Sequence, residues 1–330
     1  MRIVVLGIDG SLPSGVAGLC DVFWLANEAI RQKANLASAR LANEPFEVVT
    51  ASPRGRSFRD GRGVRVQVDA TVFDIEHCDA VLIPGIVQLG NGVQWSGPIM
   101  REIGVWLRAQ HAHGSIVAGS CKGVFVLGEA ELLNGRRCTT TWWLHDELQQ
   151  RYPRADAIWG SALIDDERIV TSGGPLSWID LALHVIRALA GHEAARLAAD
   201  FAVVDNTPPT QTIYIPRGYV KAREPLLIDA ECAVRQFTYS LSVSDLAMKL
   251  KLSERTLHRR IKQLTNESPK AFIDRIRLED ARTLIEDGAA SIKRVSQQVG
   301  YEDEGSFRRA FFRFTGMTPS EYRQWSSKRK

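Results

Sequence analysis

The chain has 330 residues, long enough for two domains with a core each. Its 45% apolar and 24% charged residues are ordinary globular values, and no apolar run approaches the length of a membrane span. The net charge of +4 hides an asymmetry: residues 227–330 hold 20 Lys and Arg against 14 Asp and Glu, a net of +6, and the first 226 residues carry −2. Basic charge gathered in the last third suits contact with phosphates, although a merely solvated basic surface would give the same sum.

Residues 3–6 form a short apolar run that ends in Gly7-Ile8-Asp9-Gly10 and reads as a first strand, too short for a signal-peptide core. Helical periodicity follows over 16–31 through Val22, Phe23, Leu25, Ala26 and Ala29. Strands are expected at 46–50, as an alternating ribbon at 64–68, and at 80–84, where Pro84-Gly85 stops the run. The basic, glycine-rich stretch between Arg54 and Gly63 lacks the Lys-Ser/Thr start of a phosphate loop and reads as an exposed hairpin connection. Next come a helix over 99–111 with Ile99, Ile103, Trp106 and Leu107 on one face, a strand at 115–118 and a helix opening at 123–129. A strand at 168–171 ends in Ser172-Gly173-Gly174, before a strongly apolar helix at 178–190. Strands alternating with helices imply a doubly wound α/β domain with a mainly parallel sheet covered on both faces.

The pattern breaks between Phe201 and Pro225, where Asp205-Asn206-Thr207-Pro208-Pro209-Thr210 and Ile215-Pro216-Arg217-Gly218 carry connector chemistry. These signals place a front domain at 1–216, a linker at 217–226 and an all-α domain at 227–330. Two helix-turn-helix units are expected in the last of these. In the first, Ser253 is a good N-cap for a helix to about Thr265, with Leu257, Ile261 and Leu264 turned inward. Arg255, His258, Arg259 and Lys262 then face solvent or DNA. In the second, Phe307, Phe311 and Phe314 make the buried stripe and Glu304, Arg308 and Arg309 face out. Arginine suits bidentate reading of guanine, and glutamate can accept from cytosine. A helical bundle with solvated arginines is the plainer alternative.

This region resembles the AraC/XylS regulators over about residues 230–323. The matching residues include Leu246-Ala247, Ser253, Arg255, Leu257, Arg259, Arg277-Leu278, Ala281, Val299-Gly300-Tyr301, Ser306-Phe307, Arg309, Phe311, Gly316, Thr318-Pro319 and Tyr322-Arg323. The resemblance implies a linking helix, here about residues 271–286. It would present both reading helices to successive major grooves of double-stranded DNA, roughly 34 Å apart. Lys251 departs from a glycine common in the first turn, and Ile261 from a usual phenylalanine.

In the front domain Cys121 falls at a sharp strand-to-helix turn, Ala118-Gly119-Ser120-Cys121-Lys122-Gly123. A thiol at a helix N-terminus is biased toward thiolate, and nucleophile elbows use the same corner. A cation at Lys122 would lower the thiol pKa and could hold a carboxylate; equally, Lys122 could point to solvent beside an inert, packed cysteine. The five cysteines (Cys20, Cys78, Cys121, Cys138, Cys232) are scattered, with no CxxC or Cys/His cluster. No metal site or cofactor and a reduced, cytoplasmic setting are therefore expected. Trp142-Trp143 reads as packing before it reads as a cage for a quaternary amine. His184 reads as a satisfied core or interface histidine.

The front domain resembles the amidotransferase-like fold of the intracellular-protease superfamily, in the GlxA-type branch joined to AraC domains. The resemblance spans about residues 1–198, through Gly18-Leu19-Cys20-Asp21, Val81-Leu82-Ile83-Pro84-Gly85, Cys121-Lys122-Gly123, Thr139-Thr140-Thr141-Trp142 and Thr171-Ser172-Gly173-Gly174. Catalytic relatives place a histidine after the cysteine or in the Thr-Thr-His-Trp position, where this chain has Lys122 and Thr141. Their supporting acid has no clear match near Gly15, with Asp9 and Asp21 the nearest candidates. No catalytic residue is therefore assigned. Asp9, Cys121, Lys122, Thr141 and Gly174 are expected to bind a small effector, of the amino-acid or amine kind that the resemblance implies. The resemblance further implies a homodimeric transcription activator working with RNA polymerase, away from membranes. A Cys121-dependent hydrolase or glyoxalase-like enzyme is the alternative.

Overall fold

The computed structural model describes the chain except residues 37–44, 88–96, 205–209, 216–224, 237–240, 266, 289 and 328–330. Two compact units emerge, Met1–Gln211 and Thr212–Lys330. The linker expected at 217–226 falls almost wholly outside the described residues. Residues 212–215, expected at the end of the front domain, belong to the second unit, where Ile213 is buried in an apolar cluster.

The first unit begins with β1 (Arg2–Leu6), α1 (Pro13–Leu36), β2 (Glu47–Ser52), β3 (Ser57–Arg59), β4 (Arg65–Gln67), β5 (Ala70–Thr71) and β6 (Ala80–Ile83). It continues with α2 (Pro98–Ala112), β7 (Ile116–Ser120), α3 (Val124–Glu129), β8 (Arg137–Cys138), α4 (His145–Arg151) and β9 (Asp156–Ala157). It closes with β10 (Leu163–Asp166), β11 (Ile169–Ser172) and α5 (Trp178–Ala202). Seven strands make one sheet in the order β10-β11-β7-β6-β1-β2-β5. All neighbours are parallel except the edge pair β10–β11.

Side chains along these strands alternate between two apolar clusters. Val4, Val81, Val117 and Ile169 face Ile103 and Leu107 of α2 and Phe125 of α3. Ile3, Leu82, Ala118 and Val170 face Leu19 and Phe23 of α1 and Leu181 and Val185 of α5. A two-residue period that is apolar on both faces requires helices on both sides, which is the doubly wound arrangement. The basic glycine-rich stretch forms the antiparallel hairpin β3–β4. The apolar helix expected at 178–190 continues to Ala202 past a kink at Gly191 (φ 88°, ψ 170°). Sequence reading passed over β8, α4, β9 and β10, all seven residues or shorter.

The second unit is helical: α6 (Pro225–Gln236), α7 (Val243–Lys249), α8 (Glu254–Thr265), α9 (Pro269–Asp287), α10 (Ile292–Gln298), α11 (Glu304–Thr315) and α12 (Pro319–Ser327). The α9 helix serves two cores. Its first half buries Phe272 and Ile276 with Leu246, Leu257 and Ile261, and its second half buries Leu278, Ala281 and Ile285 with Val295, Phe307 and Phe311. No helix among the described residues is long and apolar enough to cross a membrane.

Candidate DNA-reading helices and cysteine elbow

Each candidate reading helix follows a capped partner. Ser242 accepts from the Asp245 amide at 3.1 Å, and Asp245 accepts in return from the Ser242 amide at 2.9 Å, starting α7. Those bonds from Ser242 hold the Asp245 carboxyl below its usual range. Ser253 starts α8 by accepting from the Thr256 amide at 3.2 Å. Leu257, Ile261 and Thr265 form the buried stripe of α8. Leu264, expected to turn inward, is 37% exposed: the stripe steps four residues from Ile261, so Thr265 takes the inner position. Arg255, His258, Arg259 and Lys262 are all exposed. Among the described residues no hydrogen bond or ion pair occupies Arg255, His258 or Arg259.

In the second reading helix, Asp303 caps α11 by accepting from the Gly305 and Ser306 amides at 3.1 and 2.6 Å. Bonding to Ser306 and Gly305 holds its carboxyl below the usual range. Phe307, Phe311 and Thr315 are buried, while Phe314 is half-buried against the same cluster. On the outer side, Arg308 donates through Nε and Nη2 to Glu304 Oε1 at 2.9 and 2.7 Å. Arg309 donates through Nη2 to Ser306 Oγ at 2.9 Å. The charged groups expected to meet DNA on α11 thus hold partners on their own helix.

The front unit's elbow is built where β7 hands over to α3. Cys121 has φ 51°, a left-handed conformation that non-glycine residues adopt at a cost. Gly123 is needed two residues on, because a Cβ there would lie 2.7 Å from Ile83 O and 2.5 Å from Pro84 O. Thr141 donates through Oγ1 to Cys121 Sγ at 2.9 Å and accepts from the Gly174 amide at 3.2 Å. Thr140 donates to the Cys121 carbonyl at 2.8 Å. Burial raises the Cys121 thiol pKa, outweighing the opposing Thr141 hydrogen bond, the Lys122 amide and the Lys122 charge. The helix behind the thiol spans only six residues. The thiolate bias expected of this corner is therefore reversed by desolvation.

Three of the five expected effector residues, Cys121, Thr141 and Gly174, form one hydrogen-bonded chain. The other two have different partners. Lys122 Nζ lies 3.2 Å from Glu147 Oε1 and 5.6 Å from the Phe125 ring centre, and Asp9 is exposed, accepting from the Arg59 amide at 2.8 Å. Among the described residues no histidine bonds to Cys121. His145 is buried against Trp159 and lies 3.2 Å from Ala157 O, and His184 lies 2.8 Å from Asp165 Oδ2. Trp142 and Trp143 stack edge to face, with centroids 4.8 Å apart.

Gln211 is a residue that sequence reading missed. Its Nε2 donates to Thr140 O and Ser161 O at 2.9 and 2.7 Å, and its Oε1 accepts from the Trp142 amide at 3.2 Å. It also fills the space beside Gly173, where a Cβ would lie 1.8 Å from Nε2. Nothing in the connector sequence around it signals this role.

A doubly wound α/β unit with a cysteine elbow, followed by paired helix-turn-helix units on a shared helix, is the class that this geometry defines. The sequence pattern of the DJ-1/PfpI family matches residues 22–188, half of the chain, and that of a helix-turn-helix domain matches residues 246–324. The chain belongs to the DJ-1/PfpI family, and an AraC-type helix-turn-helix region follows its family domain. The HTH-type transcriptional regulator GbdR of Pseudomonas aeruginosa is 26% identical over 303 residues, covering 88% of this chain and 80% of that protein. An isonitrile hydratase of Pseudomonas putida is 34% identical over 138 residues, 41% of this chain and 56% of the hydratase. A Vibrio parahaemolyticus protein, solved as a candidate transcriptional regulator, shares the fold with TM-score 0.50 and 19% identity, over 61% of this chain and 98% of that one.

Proposed function

We propose that the chain is a ligand-responsive transcription regulator that reads DNA through α8 and α11 and senses a small metabolite beside Cys121. The observation that carries this reading is the repeated scaffold: two capped helix pairs share α9, and each turns a charged face outward. Arg255, His258, Arg259 and Lys262 are the reading residues of the first unit, and Glu304, Arg308 and Arg309 those of the second. Such helices enter successive major grooves, and cations around them contact phosphates. The effector site centres on Cys121, Thr141 and Gly174, at the carboxyl ends of the sheet strands, where open α/β sheets bind ligands. A homodimeric activator of this kind works in the cytoplasm beside RNA polymerase. Its inducer shifts the balance between two arrangements of sensor and reading units. Genome-wide occupancy of the tagged protein, with cells grown on a panel of amino acids and amines, tests the reading. Discrete peaks with a two-part motif are expected, and absence of enrichment under every condition would reject it.

A thiol-dependent enzyme is the second reading, favoured by the likeness to the isonitrile hydratase. It conflicts with a buried thiol whose pKa is raised. Iodoacetamide mapping across pH separates the two readings. Cys232, which is exposed, should label first, and Cys121 only above the ordinary thiol range of about 8.5. Fast labelling of Cys121 at pH 7, with turnover lost in Cys121→Ala, would favour the enzyme.

A further inference from the structure

The chain is anchored twice where it leaves the first unit. The first anchor is Gln211, the last residue of that unit and 5% exposed. Its backbone N–H donates to Gly160 O at 2.6 Å, Thr210 Oγ1 donates to the same oxygen at 2.9 Å, and Thr210 forms an antiparallel bridge with Ser161. The side chain bonds three more backbone groups: Thr140 O, Ser161 O and the Trp142 N–H. Two of those residues, Thr140 and Trp142, flank Thr141, the donor to the Cys121 thiol. Gly173 makes room, since a Cβ there would overlap the Gln211 amide. The second anchor is Ile213. It is buried in the second unit in one cluster with Ala281 of α9 and Phe307 and Phe311 of α11, and Arg282 Nη2 donates to its carbonyl at 2.7 Å. Tyr214 beside it meets the Trp325 ring edge to face, with centroids 6.4 Å apart. Thr212 alone separates the two anchors.

A buried side-chain amide that commits its donors and its acceptor to backbone groups holds a segment in one place. A long flexible linker would absorb any movement of that segment, but a single residue passes it on. We infer that Gln211 is a latch: its side chain ties the connector to the loop that carries Thr141, and its release is transmitted through Thr212 to Ile213. The proposal rests on the sensing reading above and adds the regulation of that site. A ligand that draws Thr141 off the thiol displaces the neighbouring carbonyl and amide that Gln211 grips. The occupied state and the latched state therefore exclude one another, and the effector acts by opening the latch. Ile213 belongs to the core under α11 and not to the core under α8, so the second reading unit receives the signal first.

Hydrogen–deuterium exchange of the full-length protein, without ligand or DNA, tests the coupling in both directions. Gln211→Ala should speed exchange at the Trp142 amide and also along α11 in the other unit. Ile213→Ala, a change in the second unit, should speed exchange at the Trp142 amide in the first. Coupling between sites is reciprocal, so each remote effect should reach about fivefold or more. Effects confined to the unit that carries the substitution, in folded protein, overturn the latch. If Gln211→Ala does not fold, Ile213→Ala decides. The effector's part is read from DNA occupancy on the panel of growth conditions, where Gln211→Ala should bind equally under every condition. Full condition dependence in that variant overturns the latch and leaves the sensing reading standing. No peaks with the unsubstituted protein reject the sensing reading and the effector's part with it, and the exchange result then decides the coupling alone.

Discussion

In the first helix-turn-helix unit α8 ends on Thr265, whose hydroxyl donates to Ile261 O at 2.8 Å and accepts from the Glu267 amide at 3.2 Å. In the second, α11 ends on Thr315, which donates to Phe311 O at 2.8 Å and accepts from the Met317 amide at 3.2 Å. The turns also agree. Leu252 N–H reaches Ala247 O and Lys251 N–H reaches Met248 O, as Tyr301 N–H reaches Ser296 O and Gly300 N–H reaches Gln297 O. Both are Schellman turns with a left-handed residue after the helix, Lys251 (φ 54°) in one and Gly300 (φ 83°) in the other.

The backbone device repeats while the side chains diverge. The first core sets one aromatic ring, Phe272, among aliphatic residues such as Leu246, Leu257 and Ile261, whereas the second stacks Phe307, Phe311 and Tyr322 at centroid distances of 5.5 and 5.4 Å. The outer faces differ as well: Arg255 and Arg259 carry no internal partner among the described residues, but Arg308 is held by Glu304. One scaffold therefore carries an electrostatically open candidate reader and a self-paired one. Under the proposed reading, the open one would serve phosphate attraction and early encounter, and the paired one would exchange its own contacts for those of a base or phosphate, favouring discrimination over raw affinity.

The largest expected effect tests the cores. Phe311→Ala should cost about 3–5 kcal/mol in denaturant unfolding, and Ile261→Ala about 2–5 kcal/mol. The aromatic contacts of Phe311, about 0.5–1.5 kcal/mol beyond burial, put its loss toward the upper end. A larger loss from Ile261→Ala would break the contrast. Next comes the open reader. Arg255→Ala should weaken operator binding by about 1–3 kcal/mol with relaxed specificity if it touches a base, or lower the salt slope by about one if it touches a phosphate. Either result is read from binding isotherms at several salt concentrations, and unchanged binding would remove Arg255 from the interface. Glu304→Gln should act more weakly and in the other direction, with Arg308 released and affinity for non-specific DNA raised a few-fold. A fall in that affinity would show the pair to be a binding unit in itself. The last effect belongs to the turn and leaves DNA binding aside. Lys251→Gly should raise thermal stability by about 1 kcal/mol, since a lysine pays for the left-handed conformation that glycine adopts freely.

Much of this molecule could be read along the chain because its signals are local. The two-residue alternation of β1, β6, β7 and β11, and the stripe through Phe307 and Phe311, report burial directly through periodicity. The serine cap of α8 is legible for the same reason, whereas the aspartate cap of α11, Asp303, emerged only from the structure. Short elements such as β8 and β9 escaped, since two residues hold no period. Leu264 was misplaced because a helix stripe drifts, and only the packing against α9 decides where it runs.

The elbow divides along the same line. Sequence alone placed Cys121 at a strand-to-helix turn and Gly174 in a strand-end turn, because turn chemistry is local, while Thr141 stood out only through the resemblance to relatives with a histidine at its position. Tertiary structure decided that these three join in one hydrogen-bonded chain, that Lys122 turns to Glu147 and Asp9 to the Arg59 amide, and that Gln211 closes over Gly173. It also decided the sign of the thiol pKa shift. A neighbouring cation can be read from adjacent letters, but desolvation is set by everything that folds over the sulfur, and those groups lie far away in the chain.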